Sequence, residues 1–214
     1  MRSGRAGMDR LRRRTPQFSP CENIALRGAS LAYDAPDLAS WHRSIVADHE
    51  KSSSRPSPRE LRFFAIQKSL ERAVGLAALA EGPSGKRVSH QRRIPMSVLH
   101  ESRRQLLARI DDLHNASTFE DLHNVAKQTN GTITGIGKLT VYDTALRIAG
   151  HRGLEPSHVF LHAGTREGAR AFAIDGFRES ISVDELPSAL RRLKPREVED
   201  CLCVYKNDFR RLKA

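Results

Sequence analysis

Three groups of residues have the types and spacing to do chemistry. The first is the run Ile133-Thr134-Gly135-Ile136-Gly137-Lys138-Leu139-Thr140. Two glycines around one apolar residue allow a sharp turn and keep side chains out of the way of an approaching group. If a helix starts directly after the turn, its first N–H groups have no intrahelical partners and the helix dipole adds positive potential. Such an end suits an anion, above all a phosphate. Ile136 is then the inward plug, Gly135 and Gly137 make the turn, Lys138 adds a mobile cation, and Thr140 offers a hydroxyl or a cap.

The second group is His158 and His162, with His151 upstream. On a helix, two histidines four apart share a face, but a metal site needs a third ligand and a zinc hydrolase a glutamate. His158-Val159-Phe160-Leu161-His162 holds neither, so no metal site is expected. The third group is His162, Thr165, Tyr142 and Asp143, which would make an enzyme of unknown type only by converging on a pocket. The residues have plainer readings. His162 reads as a core or cap histidine, Gly164 as a helix-entry turn, and Asp143 as the partner of Arg147 four residues on. There is no phosphate loop and no dinucleotide-binding glycine pattern, so no cofactor is expected and no catalytic residue is assigned. Cys21, Cys201 and Cys203 are odd in number and lack a CxxC pair, which reads as reduced thiols in a cytoplasmic protein.

Helices must position these residues. Residues 1–56 read as an irregular basic segment, broken by Pro16, Pro20, Pro36 and Pro56 and ending in the linker Lys51-Ser52-Ser53-Ser54-Arg55. Within it, a short apolar stretch around Trp41 is placed to dock on the main body. Ser57-Pro58-Arg59-Glu60 is a capping box that opens one long amphipathic helix over 57–82. A basic connector over 83–94 carries Arg92 and Arg93 and marks a domain boundary.

The helical domain follows over 95–214. Leu99, Leu106, Ile110 and Leu113 form one apolar face after Pro95. Ser117-Thr118-Phe119-Glu120 caps a helix that ends at Thr129-Asn130-Gly131, where Asn130 and Gly131 are suited to positive φ. A helix over about 139–149 follows the turn. Val159-Phe160-Leu161 is a short buried strand or a helix start. Thr165 is placed to cap a helix through Ala173, and Ser182-Val183-Asp184-Glu185 to open another. Val198, Leu202, Tyr205, Phe209 and Leu212 form a stripe along the last one. The expected fold is mainly α, a compact bundle of about six or seven short helices with an irregular basic N-terminal segment.

Charge narrows the partners. Lys and Arg number 36 against 25 Asp and Glu, a formal net charge of +11. Such a chain favours anionic partners, nucleic acid first and an anionic membrane surface second. No run of about 18 apolar residues exists to span a membrane. The start carries Arg2, Arg5, Arg10, Arg12, Arg13 and Arg14 with no apolar core, so it is not read as a secretory signal.

The run from Ile133 to Thr140, with its flanking helices from Phe119 to Ala149, resembles the helix-hairpin-helix superfamily, which includes DNA glycosylases, polymerases and repair nucleases. The resemblance implies a backbone grip that is largely blind to sequence, on DNA more than RNA. It does not carry over catalysis. Glycosylases of this superfamily have an aspartate about 20 residues past the hairpin, where this chain has no carboxylate between His158 and Thr165. The lyase lysine position is Leu139. A wider stretch resembles an uncharacterised family of bacterial proteins on His90-Gln91-Arg92-Arg93-Ile94-Pro95, Gly135 to Ile148 and Leu161-His162-Ala163-Gly164-Thr165, which adds no chemistry.

The expected contact set is Gly135, Ile136, Gly137, Lys138 and Thr140, extended by Lys127, Arg147, Arg92 and Arg93. The competing expectation is a protein-interaction or structural module in which the hairpin is only a tight turn between helices.

Overall fold

The structure, a computed structural model, describes residues 38–52 and 57–211. The basic arm, Cys21 and most of the linker lie outside the described residues. The fold is mainly helical, with eleven α-helices and one two-stranded sheet among the described residues. In chain order the helices are α1 (Leu38–Lys51), α2 (Pro58–Ala65), α3 (Leu70–Ala78), α4 (Met96–Leu107), α5 (Ile110–Asn115), α6 (Phe119–Asn130), α7 (Lys138–Arg152), α8 (Ala163–Ala169), α9 (Ser188–Arg191), α10 (Pro195–Val204) and α11 (Lys206–Arg211). Strand β1 (Val159–Phe160) pairs antiparallel with β2 (Ser180–Ile181).

There are more helices than expected because three long amphipathic stretches are each cut in two and α1 forms in a segment expected to be irregular. The expected helix over 57–82 stops at Ala65. Gln67 Nε2 donates to the Phe63 carbonyl at 2.6 Å and Ser69 caps the next helix through Arg72 N, so local side chains take over from helical bonds. The second stretch breaks at Arg109, whose guanidinium pairs with Asp112 in the first turn of α5. The third breaks at Tyr205, whose hydroxyl donates to Asp48 on α1 at 2.7 Å. Each half keeps its apolar face, so the hydrophobic periodicity survives a break that it does not reveal.

Two hydrophobic cores result. The first joins Phe64, Leu70 and Val74 of α2 and α3 to Leu106, Leu113, Phe119, Leu122, Val141, Ala145 and Ile148. The second joins Trp41, Ile45 and Val46 of α1 to Leu161, Ile181, Leu190, Val198, Leu202 and Phe209. The connector over 83–94 therefore does not separate two cores, because helices on both its sides fill the same one. Arg87 braces it, donating to the carbonyls of Ile94 and Arg92 at 2.8 and 2.9 Å. Residues 38–51, expected to be irregular, are helical because the Trp41 side dries against the C-terminal half. Burying a side chain as large as Phe64 or Phe209 contributes about 1.5–3 kcal/mol.

β1 is the join between the cores. Successive strand side chains point to opposite faces, so Phe160 enters the first core while Val159 and Leu161 enter the second. Helix α8 then lies directly on α10. A Cβ at Gly164 would fall inside contact distance of Cys203 Sγ, and one at Gly168 inside contact distance of the Leu202 carbonyl. The two glycines, four apart on one helical face, are required by this approach. Gly164, in the entry turn of α8 as expected, is thus also a packing position. Thr165, expected to cap this helix, is instead buried inside its first turn, and His162 stands at the N-cap position as a buried residue whose side chain makes no cap bond. The Ser182 capping box forms but opens only a single 3-10 turn, Val183–Glu185. Leu186 before Pro187 is extended, as a residue preceding proline prefers.

Candidate functional site

Helices α6 and α7 pack together in the first core, and residues 131–137 connect them. The turn is built from two short backbone bonds, Ile133 N to Asn130 O and Ile136 N to Ile133 O, both 3.0 Å. Positive φ falls on Gly135, at +96°, and not on Gly131, at −64°. Asn130, expected to help the exit, is instead a fully buried helical residue whose side-chain amide has no partner among the described residues. Ile136 is partly buried against the first core, the position expected of a plug. Gly135, Gly137 and Lys138 are exposed.

The two helix starts differ. Thr118 and Asp121 close the start of α6 with a reciprocal capping box, and Glu120 and Asp121 place acid in its first turn. The start of α7 at Gly137 has no side-chain cap and no acid in its first turn. Thr140, half-buried, does not cap it. Beyond Gly137 a Cβ would meet nothing within 4 Å, whereas at Gly135 it would lie 3.6 Å from Val98 in the first turn of α4. The exposed Arg92 and Arg93 sit in the loop leading into that helix. Arg92 Nε donates to the Arg87 carbonyl at 3.1 Å.

Two expected basic contacts are engaged elsewhere. Arg147 is 2 % exposed, so it is not a surface contact. Its guanidinium meets Glu60 at 2.8 Å and Gln91 Oε1 at 2.9 Å, because α7 turns that face into the first core against α2 and the connector. Lys127 pairs with Glu179 at 2.7 Å. That Lys127 hydrogen bond, followed by the charges of Lys127, His123 and Lys138, outweighs burial and holds the Glu179 carboxyl below its ordinary range.

The acid–base candidates converge, but in packed interior. His162 Nε2 lies 2.5 Å from Glu199 Oε1, and Thr165 Oγ1 donates to the same oxygen at 2.8 Å. Burial works to lower the His162 pKa, but the Glu199 charge and hydrogen bond overcome it and raise it. The Tyr142 ring centroid is 5.4 Å from that of His162. Burial, reinforced by Glu199 and Asp143, pushes the Tyr142 hydroxyl pKa well up. Asp143 belongs to a separate cluster, 2.6 Å from His90 Nε2 and 3.2 Å from Gln91 Nε2, with Arg147 at 4.0 Å. Burial acts to raise its pKa, but the His90 hydrogen bond and the Arg147 charge hold it low. His162, Thr165 and Glu199 are 3 %, 0 % and 6 % exposed, so the trio is a seam between helices, closed to solvent.

His158 points elsewhere, toward Ser157 and Glu120, because the residues between it and His162 form a strand. No group of three or more His, Cys, Asp or Glu is placed to hold a metal among the described residues. No helix there is long and apolar enough to cross a membrane. Sequence reasoning missed Glu199, Glu60 and Gln91 as partners. One signal was available for Glu199, which precedes Leu202 by three and so borders the apolar stripe of α10.

No protein family, curated protein or solved structure matches this chain.

Proposed function

We propose that α6, the turn and α7 act as a helix-hairpin-helix that binds nucleic-acid backbone, DNA more than RNA, without strong sequence preference and without catalysis. The observation that carries this is the start of α7: an exposed glycine turn leading into a helix end with no side-chain cap and no acid, with Lys138 beside it. Free N–H groups and a helix dipole there suit a phosphate. The net charge of +11 supports an anionic partner. The contact set is Gly135, Gly137, Lys138 and Thr140, with Arg92 and Arg93 on the loop leading into α4, whose Val98 lies beside Gly135; Ile136 supports the turn from within, and Arg147 drops out. The buried thiol of Cys201, which forms no disulfide, fits a reducing, cytoplasmic setting.

A short duplex titrated across a salt series tests the reading. Log affinity should fall linearly with log salt, and Lys138→Ala should weaken binding and reduce the slope by about one phosphate contact. Absent or salt-insensitive binding overturns it. The alternative is a hairpin that serves only as a helix connection within a protein-interaction module. It is favoured by Glu179, whose charge lies within reach of both Lys127 and Lys138 and would repel a phosphate.

A further inference from the structure

Phe177 is 96 % exposed, more than any other large hydrophobic side chain among the described residues. It lies in the loop between the 3-10 turn Arg170–Phe172 and β2. Leaving a phenyl ring in water forgoes one of the larger burial gains open to a side chain. The loop around it is held locally. Phe177 N donates to Asp175 Oδ1 at 2.9 Å, and the Arg178 guanidinium pairs with Glu185. Gly176 lies on two arginine stems, where a Cβ would be 3.3 Å from Arg166 Cγ and Cδ and from Arg170 Nε.

The ring borders a cleft of about 540 Å³ lined by Arg166, Arg170, Ala173, Ile174, Gly176 and Phe177. That volume falls in the range of small-ligand clefts. Arg166 donates through Nη2 to the Leu161 carbonyl at 2.8 Å, but its Nε is buried with no partner among the described residues. A flat apolar face beside two guanidinium groups is complementary to a ligand that joins a π-face to a negative charge. A nucleotide is such a ligand, and base stacking on an exposed aromatic tolerates any base. Glu179, two residues beyond Phe177, pairs with Lys127 near the end of α6, which ties this loop to the first helix of the hairpin.

We propose that Phe177 and the Arg166–Arg170 cleft form a stacking site for one unpaired nucleotide beside the hairpin, so that single strands and frayed ends bind better than intact duplex. This rests on the nucleic-acid reading of the hairpin and names its substrate class. The wall of the cleft that Arg166 and Arg170 line supplies positive charge to the phosphate, Phe177 takes the base, and the hairpin holds the adjoining backbone.

The test compares the full chain with Phe177→Ala, Phe177→Trp and Lys138→Ala. Each is titrated with a short single-stranded DNA oligonucleotide carrying one 2-aminopurine, and with the duplex of the same sequence. Phe177→Ala should weaken single-strand binding roughly 5- to 100-fold and leave duplex binding unchanged. Phe177→Trp should retain single-strand affinity, with its fluorescence quenched on binding. Equal single-strand affinity in wild type and Phe177→Ala, with Lys138→Ala still weakening the duplex, overturns the stacking site and leaves the hairpin reading intact. If wild type binds neither DNA, the hairpin reading falls and the stacking site with it. If Phe177→Ala changes only the solution mass of the protein, the ring is a protein contact and the proposal is overturned.

Discussion

The hairpin turn and the His162–Glu199 seam use similar resources for opposite ends. At the seam, a histidine, a threonine and a glutamate fix one another in a dry interior, and α8 could not sit on α10 without the two small glycines that admit it. At the turn, the start of α7 exposes backbone donors that no side chain satisfies. Polar groups buried in a fold must be paired, and those meant for a ligand must not be. The seam therefore carries stability, while the turn leaves open the donors that the proposed phosphate contact needs.

The largest expected effect breaks the seam. Glu199→Ala leaves His162 and Thr165 buried without their shared acceptor, and removing one member of a buried charged pair costs about 3–5 kcal/mol. Chemical denaturation should show that loss, with a smaller one for Glu199→Gln, which keeps an acceptor oxygen. A cost for Glu199→Ala below about 1 kcal/mol would mean that the seam is no more than surface-like polarity.

Two buried histidines should act oppositely with pH. His123 sits against Phe160, with ring centroids 4.4 Å apart, and burial lowers its pKa to about 4 despite nearby Glu179 and Glu120. Between its unfolded value near 6.5 and the folded value, the unfolded chain takes up a proton that the folded chain refuses. Stability should fall over that window by an amount on the order of 3 kcal/mol. His162 has the reverse sign. Its raised pKa contributes stability that is fully present below its unfolded value and lost as pH rises through the folded value. Unfolding free energies measured at pH about 7 and about 4.5 should therefore differ less in His123→Phe than in wild type. An unchanged difference would assign the acid loss to carboxylates instead.

The turn was far more legible in the sequence than the seam. Gly135-Ile136-Gly137 announces itself because a tight turn needs glycine at fixed local positions, and the structure gives Gly135 a φ of +96°. The mainly helical character was legible for the same local reason: Ser57 caps the helix expected at Ser57–Glu60, and the box expected at Ser117–Glu120 forms one residue on, between Thr118 and Asp121. Helix ends were harder to read. Gln67, Arg109 and Tyr205 interrupt amphipathic patterns that continue beyond them, and what stops each helix is a side-chain contact. The seam joins Thr165 to Glu199 and the first core joins Glu60 to Arg147, pairs 34 and 87 residues apart that no local pattern links. Arg147 shows the cost of this. Charge alone placed it at the surface, whereas α7's rotation puts it in the core.

The smallest stability effect is the most direct probe of the comparison, because it gives the turn what the start of α6 already has. Gly137 occupies the N-cap of α7 with φ −93° and ψ 167°, an extended conformation open to any residue, and a Cβ there meets nothing within 4 Å. Gly137→Asp should therefore fit without strain and accept a bond from the first turn. Replacing glycine by a true cap is worth only a few tenths of a kcal/mol, and a favourable charge at the helix start adds about as much. The same carboxylate occupies the place proposed for a phosphate. Thermal melting should rise slightly while duplex affinity falls by well over tenfold at low salt. If melting rises and affinity holds, the open end of α7 is a tolerated imperfection and phosphate is bound elsewhere. If melting falls, the end was already satisfied in solution, and the contrast between the two helix starts disappears.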